Sequence, residues 1–261
     1  MIVPIRQSVC IPILKPGDMP LDDFLREVAA IGFEGAEIWG RGDDFEDIVA
    51  ACRRHHLQLV SMCGHASIES GLNDPSQHAR IEAELRTAID LAATHGVPGV
   101  ICFSGNRRKG VSEEEAIETT VAGLRGIAPY AESKGVTLTM ELLNSRFDHP
   151  GYQCDRTAWG VEVCRRVASP RVKLLYDIYH MQIMEGDVIR TIREHIDPIG
   201  HVHTAGVPGR FDLDEEQELN YGAICRAIEA AGYTGFVGHE FRPKGEAMAA
   251  LRRAYAVCGG G

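Results

Sequence analysis

The sequence predicts an α/β fold, a (β/α)8 TIM barrel forming a single domain over residues 1–261, and three observations support this prediction. Short apolar runs rich in β-branched residues alternate along the chain with longer stretches of helical period, which is typical of βαβ units. The runs number eight, as in a closed parallel barrel, whereas open doubly wound sheets more often have about five to seven strands. The length of 261 residues also suits one barrel of about 250 residues.

The predicted strands are apolar runs too short for helices. In chain order they are QSVC at 7–10, GAEIW at 35–39, LQLVSMC at 57–63, GVICF at 99–103, VTLTMEL at 136–142, VKLLY at 172–176, IGHVHT at 199–204 and FVGHE at 236–240. Because no G-x-G-x-x-G follows the first run, a dinucleotide site has little support.

The predicted helices lie between and after these runs, and several open on Ser, Asp or Pro and close at Gly, which are common helix boundaries. They cover 20–32, 43–56, 75–96, 112–135, 155–168, 186–196, 220–232 and 245–257.

Composition and charge exclude several classes of protein. With 44% hydrophobic and 25% charged residues, the chain is globular rather than disordered. The formal net charge of -10 disfavours nucleic acid as a partner, since phosphate backbones are bound through Lys and Arg. We expect no membrane partner and a cytoplasmic location, because the sequence has neither a signal-type apolar segment nor an apolar run of about 18 residues. The eight cysteines are scattered singly, which favours reduced thiols.

Potential metal ligands follow the last four predicted strands. In a TIM barrel the reactive side chains lie at the carboxyl ends of the strands, and here those ends carry Glu141, Asp177, His203 and Glu240. Three carboxylates brought together would repel one another, whereas a divalent cation neutralises them. The sequence therefore predicts one divalent ion. Oxygen ligands with one imidazole favour Mn, Mg or Co, with Zn as an alternative.

Each of these residues also has an ordinary structural explanation. Glu141 could cap a loop, Asp177 could be a helix N-cap, His203 could be a hydrogen-bonded interior histidine, and Glu240 could pair with Arg242. Their joint occurrence at equivalent places in successive βα units favours a shared site.

Three further residues are candidate substrate contacts. His65 follows the third strand in CGHA, His180 follows Asp177 by three residues, and Arg210 lies in the glycine-containing loop after the seventh strand. An arginine there could bind a carboxylate through two N–H groups.

Several of these segments resemble the hydroxypyruvate isomerase branch of the xylose isomerase-like barrels, and also the ketose 3-epimerases of that superfamily. The matching segments are ELLNSR at 141–146, YDIYHMQIMEGD at 176–187, GHVHTAGVPGR at 200–210, ELNY at 218–221 and GYTGFVGHEFRP at 232–243. The resemblance implies that Glu141, Asp177, His203 and Glu240 bind the metal and that Glu141 and Glu240 are also the acid/base pair. Two positions depart from the isomerase pattern: His203 stands where glutamine is usual and histidine is found in the epimerases, and Gly206 stands where an acidic residue is common.

The expected function is that of a metal-dependent isomerase. It would interconvert the aldose and ketose forms of a small hydroxy-carbonyl compound, such as hydroxypyruvate and tartronate semialdehyde, or of a sugar, by proton transfer through an enediolate. Four alternatives stay open at this point: a ketose 3-epimerase, a metal-dependent dehydratase, an endonuclease IV-like barrel and a non-catalytic sugar-binding barrel. The sequence also leaves open whether the chain forms a homo-oligomer.

Overall fold

A computed structural model describes residues 5–259 and contains eight parallel strands. They are hydrogen-bonded in chain order into a closed barrel, which confirms the predicted fold class. The strands are β1 (Arg6–Cys10), β2 (Gly35–Glu37), β3 (Gln58–Cys63), β4 (Gly99–Cys102), β5 (Thr137–Glu141), β6 (Val172–Asp177), β7 (Ile199–Thr204) and β8 (Phe236–His239).

Each predicted helical stretch contains an α-helix in the structure. The helices are α1 (Ile11–Leu14), α2 (Leu21–Ile31), α3 (Phe45–Arg54), α4 (His78–His95), α5 (Glu113–Lys134), α6 (Thr157–Val167), α7 (Ile178–Met184), α8 (Val188–Glu194), α9 (Tyr221–Ala230) and α10 (Ala247–Cys258). The predicted helical stretches did not include α1 and α7, which follow β1 and β6 directly, although Asp177 was named as a possible N-cap and does cap α7. The segment at 75–77 is a 3-10 turn rather than the first turn of α4.

Five strands end at residues other than those predicted. β4 and β5 each stop one residue earlier, at Cys102 and Glu141. β2 stops at Glu37 because its register against β3 shifts between Ala36 and Glu37. β8 stops at His239, although the Glu240 amide still donates to the Thr204 carbonyl at 3.1 Å. β6 extends to Asp177, so this carboxylate is the last residue of a buried strand.

The described chain falls into two compact units. One contains Met62–Gly186 and Asp197–His201, and the other contains the remaining described residues. In the first of these, α5 packs between α4 and α6. Its N-terminus carries a capping box, in which Ser112 and Glu115 each bond the other's backbone N–H. In the second unit, α10 packs against α2 and α9. The single domain over 1–261 stays a prediction, and its ends at 1–4 and 260–261 lie outside the described residues.

The longest helix of the described chain, α5, is amphipathic, with charged residues on its exposed face. Among residues 5–259 no helix combines the length and hydropathy that a bilayer crossing requires.

Candidate metal centre

His203 lies near the end of β7 and is flanked by two carboxylates. Its Nε2 is 3.0 Å from Glu37 Oε2, and its Nδ1 is 3.3 Å from Glu240 Oε2. Burial lowers the pKa of His203, but the charges of Glu37 and Glu240 outweigh this and hold the pKa well above its usual value. The imidazole thus stands in a strongly negative environment that favours a cation.

Glu240 follows β8 and is held at both carboxylate oxygens. Its Oε1 accepts from the Trp39 indole N–H at 2.6 Å, and its Oε2 accepts from the Arg210 guanidinium. Burial would raise the pKa of Glu240, but Arg210 and then His203 lower it well below its usual range. The carboxylate is therefore ionised, as a metal ligand or a general base must be.

Asp177 is the N-cap of α7 and is also the buried last residue of β6. Its Oδ1 accepts the backbone N–H of His180 at 3.1 Å and so caps α7. Its Oδ2 lies 3.7 Å from His180 Nε2. The structural explanation of Asp177 and the ligand explanation are compatible, because a carboxylate has two oxygens and about four lone-pair sites.

The His180 ring is oriented by Asn144. The Asn144 Oδ1 accepts the backbone N–H groups of Phe147 and Asp148, each at 3.0 Å, which fixes the orientation of its amide. The Asn144 Nδ2 then donates to His180 Nδ1 at 2.7 Å. A neutral His180 therefore carries its proton on Nε2, the nitrogen nearer to Asp177.

The structure brings the four predicted ligands together. Glu141, Asp177, His203 and Glu240 are all buried, and one potential ligand atom from each lies within 4.8 Å of the others. Three carboxylates and an imidazole are the donor set expected for a hard or borderline divalent cation. The chain thus has a buried cluster that suits a metal ion, while the roles of the individual residues stay predictions.

Sequence reasoning missed one buried carboxylate. Glu37 is only 1% exposed, and with His201 and His203 it forms a second group whose potential ligand atoms lie within 4.8 Å of one another. Glu37 lies inside the predicted run 35–39 rather than at its end, so it was not among the predicted strand-end residues, although β2 ends at Glu37 in the structure. Extending the alternation rule to this strand would have found it, because Glu37 shares a strand face with Gly35.

The other predicted substrate contacts differ in their surroundings. His65 Nε2 accepts the backbone N–H of Phe103 at 2.9 Å, so a neutral His65 carries its proton on Nδ1. Arg210 has a left-handed backbone with φ of 61°. Its guanidinium lies against Glu240, and its carbonyl accepts from the Arg242 amide at 2.7 Å. Their roles in binding substrate stay predictions.

Comparison with known proteins gives one family. The model of the family described as "Xylose isomerase-like TIM barrel" matches residues 25–256. Hydroxypyruvate isomerase of Escherichia coli (strain K12) is 31% identical over 239 residues, covering 88% of this chain and 92% of that protein.

Two solved structures have similar folds. AP endonuclease, family 2 from Brucella melitensis superposes with a TM-score of 0.82 at 26% identity, covering 97% of this chain and 98% of that one. L-ribulose 3-epimerase superposes with a TM-score of 0.82 at 21% identity, covering 98% and 94%, a likeness that shows the fold alone.

Proposed function

The chain belongs to the xylose isomerase-like TIM barrel family, and from this membership we propose that it is a metal-dependent isomerase of small 2-oxo acids. The proposed reaction interconverts hydroxypyruvate and tartronate semialdehyde, or close analogues, by proton transfer through an enediolate.

One observation carries the proposal most directly. The buried group of Glu141, Asp177, His203 and Glu240 combines three carboxylates with one imidazole, all within 4.8 Å. Without a cation such a group is costly, because buried like charges repel and are poorly solvated. An isomerase of hydroxy-carbonyl compounds needs both a cation and a carboxylate base, and this group provides ligands for the one and candidates for the other.

In the proposed reaction, some residues of the chain bind the metal ion and two of them transfer the proton. A divalent cation, when bound by these four residues, supplies Lewis-acid polarisation of the substrate carbonyl. Glu141 or Glu240 removes a proton from the carbon beside the carbonyl, and the other returns one to the neighbouring carbon. Arg210 lowers the pKa of Glu240, which keeps this carboxylate ionised, as a proton acceptor must be, but also makes it a weaker base.

His180 and Arg210 are the proposed substrate-binding groups. With its proton on Nε2, a neutral His180 donates a hydrogen bond to a hydroxyl or carbonyl oxygen of the substrate. A guanidinium has five N–H donors, so the bond from Arg210 to Glu240 is compatible with a second bond from Arg210 to a substrate carboxylate. This second bond favours an oxo acid over a neutral sugar.

The main rival within the family is a ketose 3-epimerase, which the histidine at position 203 favours. An endonuclease is less compatible with the chain, because a net charge of -10 opposes a phosphate backbone. A dehydratase would use the same cluster to eliminate water. These rivals form different products, so one experiment distinguishes them.

The test is turnover of hydroxypyruvate in heavy water by the chain loaded with Mn²⁺, Mg²⁺ or Co²⁺, followed by NMR and mass spectrometry. We expect tartronate semialdehyde with deuterium at C2, and no turnover after chelation of the metal. Incubation without protein corrects for uncatalysed exchange. Product without solvent deuterium would indicate a hydride shift, and no turnover of hydroxypyruvate with any of the three metals would refute the proposal.

The matched variants are Glu141→Gln and Glu240→Gln, which keep the shape of the side chain but remove the base. Each should lower kcat by about a hundredfold to ten-thousandfold. Parallel assays with ketoses detect inverted C3 stereochemistry if the chain is an epimerase. A product lighter by one water would identify a dehydratase.

A further inference from the structure

Glu37 contacts a predicted ligand without belonging to the four-residue group. We infer that Glu37 is a positioning residue that holds the His203 imidazole by its Nε2–H and so directs Nδ1 toward the metal. This inference rests on the proposed function, because it requires that His203 binds a metal ion.

The geometry around His203 supports this role. Glu37 Oε2 is 3.0 Å from Nε2 on one edge of the ring, and Glu240 Oε2 is 3.3 Å from Nδ1 on another. When Glu37 holds Nε2, Nδ1 is the ring nitrogen that is left to bind a cation beside Glu240. Metal-binding histidines usually donate their second N–H to a carboxylate or carbonyl, which fixes the ring orientation and increases the basicity of the ligand.

Glu37 is itself held firmly. Its Oε1 accepts from Ser8 Oγ at 2.6 Å, and its Oε2 accepts from Ser61 Oγ at 2.5 Å. Ser8, Ser61 and Glu37 are each at most 2% exposed. Three neighbouring strands, β1, β2 and β3, thus fix one carboxylate.

The contact between Glu37 and His203 is possible because residue 238 is a glycine. Gly238 pairs with His203 in the register of β7 and β8. A Cβ at position 238 would overlap Glu37 Oε1 and would lie 2.9 Å from His203 Cδ2. The absence of a side chain at this position lets the carboxylate and the ring approach each other.

A second cation bound by Glu37 and His203 Nε2 is a different explanation of the same residues. The hydroxyl groups on both oxygens of Glu37 argue against it, since the cation would compete with Ser8, Ser61 and the imidazole N–H for the same lone pairs. The two explanations predict different stoichiometries of metal binding.

The experiment measures Mn²⁺ binding to the full chain and to Glu37→Gln by calorimetry and by the EPR signal of free Mn²⁺. We expect one Mn²⁺ per chain in both proteins and a Kd that is about tenfold to a hundredfold higher in the variant. A Kd within twofold of the unsubstituted chain would overturn the inference, and so would two Mn²⁺ ions per unsubstituted chain. If the unsubstituted chain binds no Mn²⁺, the proposed function itself fails.

Two further variants separate positioning from a general loss of stability. Tyr233→Phe removes a buried hydroxyl that donates to the Phe236 carbonyl at 2.9 Å. It should lower thermal stability but leave the Kd for Mn²⁺ within twofold. Ser61→Ala keeps the charge of Glu37 but removes one of its hydrogen bonds, and it should weaken Mn²⁺ binding less than Glu37→Gln does. Ser61→Ala also tests the inference should Glu37→Gln not fold, in which case unchanged affinity in Ser61→Ala would overturn it.

A spectroscopic measurement reports on the ring directly. In the chain loaded with diamagnetic Zn²⁺, ¹⁵N spectra should show His203 with its proton on Nε2 and with slow exchange of that proton. Glu37→Gln should accelerate the exchange, while Tyr233→Phe should not. Equal exchange rates in all three proteins would contradict a hydrogen bond from His203 to Glu37.

Discussion

Trp39 contributes its indole N–H to the candidate centre. The side chain is 42% exposed, yet its Nε1 donates to Glu240 Oε1 at 2.6 Å. A hydrogen bond to a charged carboxylate is stronger than one between neutral groups and fixes its orientation. Trp39 thus limits the directions in which Glu240 can present its oxygens.

Trp39→Phe should therefore reduce kcat by about tenfold while changing KM by less than about threefold, since second-layer partners of ligands are typically worth about 10-fold to 100-fold. Steady-state kinetics with the metal-loaded enzyme test this expectation. The matched control is Trp159→Phe in α6, which alters the other of the two tryptophans in the chain and should leave kcat unchanged. Equal kcat values in the two variants would show that the indole N–H does not act on Glu240.

At this scale the clustering of four buried polar residues was predictable from the sequence, while the residues that contact them were not named. Glu141, Asp177, His203 and Glu240 could be expected to lie close together because strand ends in parallel barrels meet at one edge, and their role as ligands stays a prediction. The partners of Glu37 and Trp39 could not be predicted, because the hydrogen bonds with His203 and Glu240 depend on side-chain directions between strands far apart in the chain.

At the scale of elements, the residue that caps α7 is also one of the predicted metal ligands. Asp177 caps α7 through Oδ1 and belongs to the ligand group. Asparagine caps helices about as well as aspartate does, but it carries no charge. Substitution at this position can therefore separate the two roles.

We expect the metal-free Asp177→Asn chain to be at least as stable as the unsubstituted one, because asparagine keeps the cap and removes one of the repelling charges, and we expect its Kd for Mn²⁺ to rise at least tenfold. Asp177→Ala should weaken Mn²⁺ binding similarly and be about 1 kcal/mol less stable than Asp177→Asn, because it also loses the cap. Urea denaturation and calorimetric titration measure the two quantities. If Asp177→Asn bound Mn²⁺ as tightly as the unsubstituted chain, Asp177 would be a cap alone.

The helices for which the sequence analysis predicted no range are the short ones. α1 has four residues and α7 has seven, so neither shows enough turns for a helical period to be recognised. Residues 178–184 also read IYHMQIM, in which apolar residues lie on every side. The longer helices were predicted because their caps and their periods agree, as in α5 with its capping box.

At the scale of the whole molecule, buried thiols link stability to pH. Burial raises the pKa of the Cys52 and Cys164 thiols to about 12, whereas the ordinary pKa of a cysteine thiol is about 9.0. Above that value the unfolded chain loses protons that the folded chain keeps. Stability therefore falls as the pH rises from about 9 toward 12.

Each of these thiols should reduce the free energy of unfolding by about 1 kcal/mol per pH unit in that range. Urea denaturation at pH 9.5 and 10.5 measures the slope, and the double variant Cys52→Ala, Cys164→Ala is the comparison. We expect the double variant to be less stable at neutral pH, because it loses buried side-chain volume, but to have the shallower pH slope. Identical slopes would mean that the two thiols ionise equally in the folded and unfolded chains.

The barrel as a whole was predictable because its pattern repeats. Eight strand-and-helix units give eight independent chances to recognise the period, and an error of one or two residues at β2 or β8 does not change the topology. The choice among substrates was not predictable in this way, because it depends on a few loop side chains such as Arg210 that carry no periodic signal.

The segment formed by β2 and the residues after it contributes two hydrogen bonds to the predicted ligands and no predicted ligand of its own. β2 and the residues after it reach His203 through Glu37 and Glu240 through Trp39. A combinatorial library randomised at positions 37 and 39 should therefore yield catalysts of graded speed and of graded affinity for the cation. The same library at 141, 177, 203 and 240 should yield mainly inactive chains, so directed evolution of this scaffold would best begin at β2.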